Sequence, residues 1–244
     1  MKWVRLPLSK WSSYLALLIA FVLVRFSLGL QFIPTFAWLF PLFMMAWVRS
    51  NKPGWGLLLC WVFSTLAVAL DILPISFMWG GQLFTWMIAA IVGFLWTVPF
   101  AFDRLMNQRF SGILSTLAFP VSWVVVEYLS SSSPYMGTAF VLALTQFDSP
   151  LMTQISSITG IWGISFLVVW LAPVVCLVLE HKFEWPKVAR PVSLFLIVLI
   201  VVFCYGGIEL GLNRPNSTTV RVAGVTASSR GGTLSSAVAL LDTY

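Results

Sequence analysis

Ile161-Trp-Gly-Ile-Ser-Phe-Leu-Val-Val-Trp170-Leu-Ala-Pro-Val-Val-Cys176-Leu-Val-Leu179 runs without a single Asp, Glu, Lys or Arg. A hydrocarbon core about 30 Å thick takes roughly 20 residues of helix at about 1.5 Å each, so this run reads as a membrane span. Six other stretches read the same way: Tyr14–Leu30, Phe32–Val48, Trp55–Leu73, Leu83–Phe102, Phe110–Leu129 and Val192–Leu212. The rest of the chain agrees with them. Of its 244 residues 59% are apolar and only 9% are charged, so eight acids and fourteen bases cannot cover a water-facing surface. The same hydrophobicity excludes intrinsic disorder, and a mean hydropathy of +0.95 makes lipid the main solvent. The fold class that follows is an all-α polytopic membrane protein of about seven transmembrane helices. The first span lacks a small-x-small cleavage site and is followed almost at once by a second, so it does not read as a signal peptide.

Arg25 lies in the first span and costs about 2.5–3.5 kcal/mol at the membrane centre, whereas the Leu, Ile, Val and Phe residues around it return about 3–7 kcal/mol. It also sits close enough to the end of the span to snorkel. Pro34, Pro41 and Pro99 fall in or near spans, where neighbouring helices satisfy the freed carbonyls. An isoelectric point near 9.6 raises nucleic acid as a partner, but the position of the bases argues otherwise. With the amino end inside, ten of the fourteen fall in inside segments: Lys2, Arg5, Lys10, Arg49, Lys52, Arg104, Arg109, Lys182, Lys187 and Arg190. The outside loops before the carboxyl tail hold none, which is a positive-inside pattern and not a nucleic-acid footprint. Trp3, Trp11, Trp47, Trp55, Trp79 and Trp185 fall near span ends, where an aromatic belt belongs.

Two regions interrupt the spans. Between the fifth and sixth, Ala139–Leu144 is apolar but too short to cross and reads as interfacial or re-entrant. It is either a lipid-facing lip on the outer surface or a plain amphipathic connector. Beyond the membrane domain, residues 1–212, the segment 213–244 changes character. Pro215 and Ser217-Thr-Thr219 form a polar linker, Val220-Arg-Val-Ala-Gly-Val225 reads as a short buried strand, and Leu234–Leu241 reads as a helix capped by Thr233. One strand and one helix cannot close a core alone, so this tail reads as the β-α start of a larger domain.

The polar residues within this greasy framework are the candidate site. Glu127 is an ionisable group in a span and calls for a cavity or a partner. Arg25, Asp71 and Glu209 also fall near predicted outer ends. Either Arg25 pairs with one of these acids in an outer polar cluster, or each snorkels separately. Gln146 and Gln154 hydrogen-bond either the loop or a substrate head group. Gly160 and Gly163 read as a small-residue packing interface, with Thr159 and Ser165 bonding along or across helices. His181 stands alone in a charged loop and reads as solvated. Cys60, Cys176 and Cys204 lie in apolar runs without paired spacing, so no metal site and no disulfide framework is indicated. The pattern calls for no cofactor.

Three segments carry a resemblance to a known family: Trp123-Val-Val-Val-Glu127-Tyr128; Pro150-Leu-Met-Thr-Gln154-Ile-Ser-Ser-Ile-Thr159-Gly160-Ile-Trp162-Gly163-Ile-Ser165-Phe166-Leu167; and Val220–Val225. In order, spacing and topological position the chain resembles the apolipoprotein N-acyltransferases of the bacterial inner membrane. The resemblance implies a membrane domain followed by a periplasmic nitrilase-like domain, which agrees with the orientation the bases set: the amino terminus in the cytoplasm and, after seven crossings, the carboxyl terminus outside, in the periplasm if the cell has two membranes. It also implies a two-step transfer of an acyl chain from a membrane phospholipid to the amino-terminal cysteine of a lipoprotein. In the family a Glu-Lys-Cys triad of the outer domain does this through a thioester. This sequence departs from that pattern: it has no outer-domain Cys, no Lys after Lys187, and Ser130 where the family has Arg shortly after its Glu. The expectation is therefore a membrane portion with no catalytic residues of its own, inactive unless a catalytic domain is supplied, with Glu127, Gln146 and Gln154 as substrate-binding candidates. The competing readings are a small transporter or permease and a non-catalytic membrane scaffold. The few ionisable groups in the spans and the lack of an inverted repeat weigh against the first of these.

Overall fold

The computed structural model describes residues 8–27, 33–74, 81–133 and 137–212, and the chain divides into two units, Met1–Gly211 and Leu212–Tyr244. The first is helical throughout its described residues. Helices α1 (Lys10–Arg25), α2 (Pro34–Ser50), α3 (Pro53–Ile72), α4 (Gln82–Met106) and α5 (Ile113–Ser131) lead into a 3-10 turn, Leu142–Gln146. Two single-turn helices, α6 (Pro150–Thr153) and α7 (Ser156–Thr159), then precede α8 (Ile161–Glu180) and α9 (Trp185–Gly211). The expected strand and helix of the tail lie outside the described residues.

Five helices, α3, α4, α5, α8 and α9, are long and apolar enough to cross a membrane. The first two expected spans are shorter than the others: α1 has 16 residues and α2 has 17. Several boundaries differ from the hydropathy reading for local reasons. Helix α1 starts at Lys10 and not at Tyr14, because Ser9 caps it, its side chain accepting the Ser12 amide at 3.1 Å. Pro34 and Pro53 open α2 and α3 at the first helical position, where a missing N–H costs nothing. Helix α9 begins at Trp185, ahead of the expected Val192, so the basic residues Lys187 and Arg190 ride on its first turns. His181, expected to be solvated, is half-buried, and its Nδ1 meets the Leu177 carbonyl at 3.0 Å at the end of α8.

Six helices close a ring in the order α1, α2, α8, α5, α4, α3 and back to α1, while α9 lies outside against α8 and α6. Aromatic rings fill the middle. Phe40 of α2 stacks on Trp96 of α4 at 5.9 Å, and Trp96, Phe100 and Phe119 each approach Trp123 of α5 at 5.6–6.1 Å between centroids. Such tilted and edge-on pairs favour the aromatic quadrupoles beyond simple area burial. Two glycines let backbones touch. A Cβ on Gly93 of α4 would lie 2.8 Å from the Thr65 amide nitrogen of α3, and one on Gly206 of α9 would lie 1.9 Å from the Leu151 carbonyl oxygen of α6. Backbone cannot step aside as a flexible side chain can. Gly206→Val should therefore lever α6 off α9 and cost about 1–3 kcal/mol, measurable as a lowered thermal unfolding midpoint in detergent. An unchanged midpoint would refute the contact.

The two ends of the bundle differ in chemistry. At one end the last turns of α2, α4 and α8 bring together Arg49, Asp103 and Glu180. The Arg49 guanidinium donates to both Asp103 oxygens at 2.8 and 3.0 Å and to Glu180 Oε1 at 2.8 Å. All three side chains are at most 4% exposed. Beside them Arg104 donates to the carbonyls of Val48 and Asn51, and Trp47 donates to Gly56 O at 3.0 Å. In the sequence Arg49 and Arg104 count as loop bases that set orientation. In the fold they are buried fasteners. Outside the spans, the exposed Glu184 carboxyl is held below its usual range by its hydrogen bond to Lys187 and by that ammonium's charge.

Candidate functional site

The opposite end carries the candidate residues. Among the acids open to Arg25, the structure selects Asp71: the two ion-pair across the ends of α1 and α3. Glu209 instead accepts from the Tyr205 hydroxyl at 3.2 Å, one turn back on α9, and the same Tyr205 oxygen lies 2.9 Å from Ser157 Oγ on α7.

Glu127 is 4% exposed on the last turns of α5. Its Oε1 accepts two N–H groups at 2.9 Å, the indole Nε1 of Trp123 one turn back and the backbone amide of Leu142. The next amide, Ala143, donates to Ser165 Oγ of α8 at 3.0 Å. Gln146 closes the same turn from a third side. Its Nε2 donates to Thr145 Oγ1 at 2.8 Å and to the Pro34 carbonyl of α2 at 3.1 Å, while its Oε1 accepts from Trp38 Nε1 at 3.1 Å. The segment expected to be either a lip or a connector is thus a re-entrant turn pinned to α5, α8 and α2. Val141, Leu142 and Ala143 are buried, whereas Leu144 and Phe147 are 45% and 58% exposed. The reason is one of satisfaction. An irregular turn cannot bring its amides into an apolar interior unless side chains accept them, and Glu127 and Ser165 accept them here.

Between this turn and the helices lies a narrow apolar cleft, about 20 Å³ in free volume, walled mainly by Trp96, Pro99, Trp123, Val126, Phe140 and Val141. Glu127, Ser130 and Gly137 also line it. Glu127 is therefore at once the anchor of the turn and an ionisable group in the wall of the cleft. Gln146 stands behind the turn and does not line the cleft. Gln154 is held on α6–α7, its amide donating to Pro150 O at 3.3 Å, and also lies away from the cleft. Gly160 and Gly163 serve the corner into α8. Gly160 has φ +64°, the left-handed conformation that glycine adopts without strain. A Cβ on Gly163 would lie 2.1 Å from Thr159 Oγ1, so its bare backbone makes room for the end of α7 against α8. Ser165 does bond across elements, as the acceptor of Ala143. The sequence reading missed the part played by Trp123 and Trp38. For Trp123 the signal was present, since four residues from Glu127 puts both on one helix face.

Residues 23–174 match the family described as the apolipoprotein N-acyltransferase N-terminal domain. The chain belongs to that family. Single relatives agree over shorter pieces. The chain is 34% identical over 82 residues to apolipoprotein N-acyltransferase 1 of Treponema denticola, covering 32% of this chain and 14% of the relative. It is 30% identical over 128 residues to the apolipoprotein N-acyltransferase of Geobacter metallireducens, covering 49% of this chain and 24% of that one. With the apolipoprotein N-acyltransferase of Rickettsia prowazekii the identity is 28% over 152 residues, 54% of this chain and 29% of the relative. The chain thus spans less than a third of the length of the curated relatives it matches. As a member of this family, with five helices fit to cross a membrane, it is an apolipoprotein N-acyltransferase-like membrane portion, and the cleft beside Glu127 lies within the matched residues.

Proposed function

We propose that this helical unit holds the acyl chains of phospholipid and lipoprotein for N-acyl transfer at the periplasmic face of a bacterial inner membrane. The observation that carries the reading is the apolar cleft walled by α4, α5 and a re-entrant turn locked onto three helices. A rigid apolar slot at the membrane surface supplies position to a reaction on lipid chains. The thiols of the described helices are poor nucleophiles for it: Cys60 and Cys176 are buried, and Cys204 sits on the apolar α9. In this reading the chemistry belongs to a Glu-Lys-Cys triad of a nitrilase-like domain, of which residues 213–244 form the linker and opening strand and helix. Residues 1–212 form the membrane domain. Gln146 acts by fixing the turn, and Gln154 remains a head-group contact at the surface.

Seven crossings complete the proposal. Helices α1 and α2 rise about 24–26 Å, a few ångström less than the bilayer core, which local thinning or snorkelling accommodates. The Arg49 end then faces the cytoplasm together with the amino terminus, the Glu127 end faces the periplasm, and residue 244 emerges outside. Paired reporters test this. Alkaline phosphatase fused at Tyr244 should be active and a green fluorescent protein there dark, with the reverse after Phe183. A fluorescent, phosphatase-inactive Tyr244 fusion would place the cleft on the cytoplasmic side and end the proposal.

A further inference from the structure

A second hollow lies on the outer side of the ring, between α3 and α4 at the Arg49 end. Gly54, Leu58 and Trp61 wall it on α3, and Phe94, Val98 and Ala101 wall it on α4. Steps of four and three residues put each set on one face of its helix. The free volume is about 350 Å³, against about 20 Å³ beside Glu127. Further along, the same two helices close up. Their backbones meet at Thr65 and Gly93, and Trp61 Nε1 donates across to the Ala90 carbonyl of α4 at 2.9 Å. Towards the Arg49 end the wall opens, and a Cβ on Gly54 would meet no atom within 4 Å. The result is a groove about 10 Å long, seven residues of helix rise, from the first turn of α3 to the Trp61 bridge.

Its walls are apolar apart from Thr97, whose hydroxyl is taken up by the Gly93 carbonyl at 2.8 Å. Trp55 is 49% exposed on the first turn of α3, which sets that turn at head-group level and the rest of the groove in hydrocarbon. Any helix face at that depth meets lipid tails. What distinguishes this one is the charge at its mouth. Lys52, two residues ahead of Gly54, is exposed. No side chain caps α3, so the positive end of a 20-residue helix adds to the ammonium. The described acids of that end leave this charge unanswered: Asp103 and Glu180 are buried on Arg49, and the exposed Glu184 pairs with Lys187. We infer that the groove seats one anionic phospholipid, with its phosphate at Lys52 and the first turn of α3 and one acyl chain lying between the two helices as far as Trp61. In the orientation proposed above, this lipid belongs to the cytoplasmic leaflet, at the other end of the bundle from Glu127.

The test uses the purified 244-residue chain in detergent, with bound lipid read by native mass spectrometry. Dioleoyl phosphatidylglycerol should be retained about five-fold better than dioleoyl phosphatidylcholine, the effect of one lysine close to an anionic head group. Lys52→Gln should abolish that preference. Arg190→Gln removes an exposed base from the same end but on α9, across the ring from α3, and should preserve it. Gly54→Leu and Ala101→Phe put a side chain into the groove from either wall and should each lower phosphatidylglycerol retention. Circular dichroism checks that all four variants fold. Position is read separately: a phosphatidylglycerol carrying a diazirine in its acyl chain should, on irradiation, label residues 54–61 and 94–101. Equal retention of the two lipids overturns the site, and so does a preference that survives Lys52→Gln or is lost as readily with Arg190→Gln. Undiminished retention in both groove-filling variants, or label spread evenly over the lipid-facing helices, overturns it as well. None of these outcomes moves the phosphatase and fluorescence readings at Tyr244 and Phe183, which test the proposed orientation independently.

Discussion

Arg49→Leu should destabilise the bundle by about 3–5 kcal/mol, among the largest effects of any single substitution in this chain. The guanidinium makes three hydrogen bonds to two carboxylates from two other helices, with side-chain exposures of 3%, 1% and 4% for Arg49, Asp103 and Glu180. Its removal leaves those acids buried at the ends of α4 and α8 with no guanidinium between them. The cost comes from the stranded charges and not from the loss of an attraction, because desolvation has already consumed most of the Coulombic gain. This account makes a second, opposite forecast. The triple replacement Arg49→Leu, Asp103→Leu and Glu180→Leu should recover most of the lost stability, since an apolar cluster of similar volume is about as stable as a buried ion triad. Lys187→Ala breaks a pair whose partners are more than half exposed and should change little. Unfolding midpoints in detergent, with helicity as the signal, distinguish the cases. If the triple variant proves as unstable as Arg49→Leu, stranded charge is not the cause.

That triad also shows where reading the sequence stops. Spans are legible because the signal is local: Ile161–Leu179 carries no charge, and nothing elsewhere in the chain changes that. The partners of Arg49 stand 54 and 131 residues away. Hydropathy and the positive-inside rule register a base near a span end and are silent on what it touches. Arg25 and Asp71 were legible as members of one outer cluster, but the choice among three acids needed the packing of α1 on α3. Glu127 shows the mixture within a single side chain. Its bond to Trp123 follows from a spacing of four on a helix, whereas its bond to Leu142 depends on a turn folding back into the bundle. The glycines follow the same rule. Gly160 and Gly163 were visible as small residues, but only the backbone φ and the neighbouring Thr159 say that they form the corner between α7 and α8. Gly93 and Gly206, where helices touch, carry no mark at all in the sequence, because a close approach is a property of two segments at once.

Trp123 is where packing and site chemistry can be separated. The side chain is 1% exposed, its ring lies within about 6 Å of four others, and its Nε1 donates to Glu127 at 2.9 Å. Trp123→Ala removes both the ring and the donor and should cost about 3–5 kcal/mol, the range for an aromatic truncated in a core. Trp123→Phe keeps most of the ring and leaves Glu127 Oε1 with the Leu142 amide alone, so its cost should fall to about 1–3 kcal/mol, that of one weakened buried hydrogen bond. The two variants should also differ in location. The alanine cavity opens in the centre of the ring of helices, beside Phe40, Trp96, Phe100 and Phe119, and should loosen α4 and α5 together. The phenylalanine variant should loosen only the turn at Leu142–Gln146, because its second amide anchor, Ser165, is untouched. Hydrogen exchange measured by mass spectrometry resolves these outcomes. Faster exchange across α4 and α5 is expected for Trp123→Ala, and faster exchange confined to residues 137–147 for Trp123→Phe. Were Trp123→Phe to match the wild type at Leu142, the indole would be packing the core without steadying Glu127, and the carboxyl would hold the turn unaided.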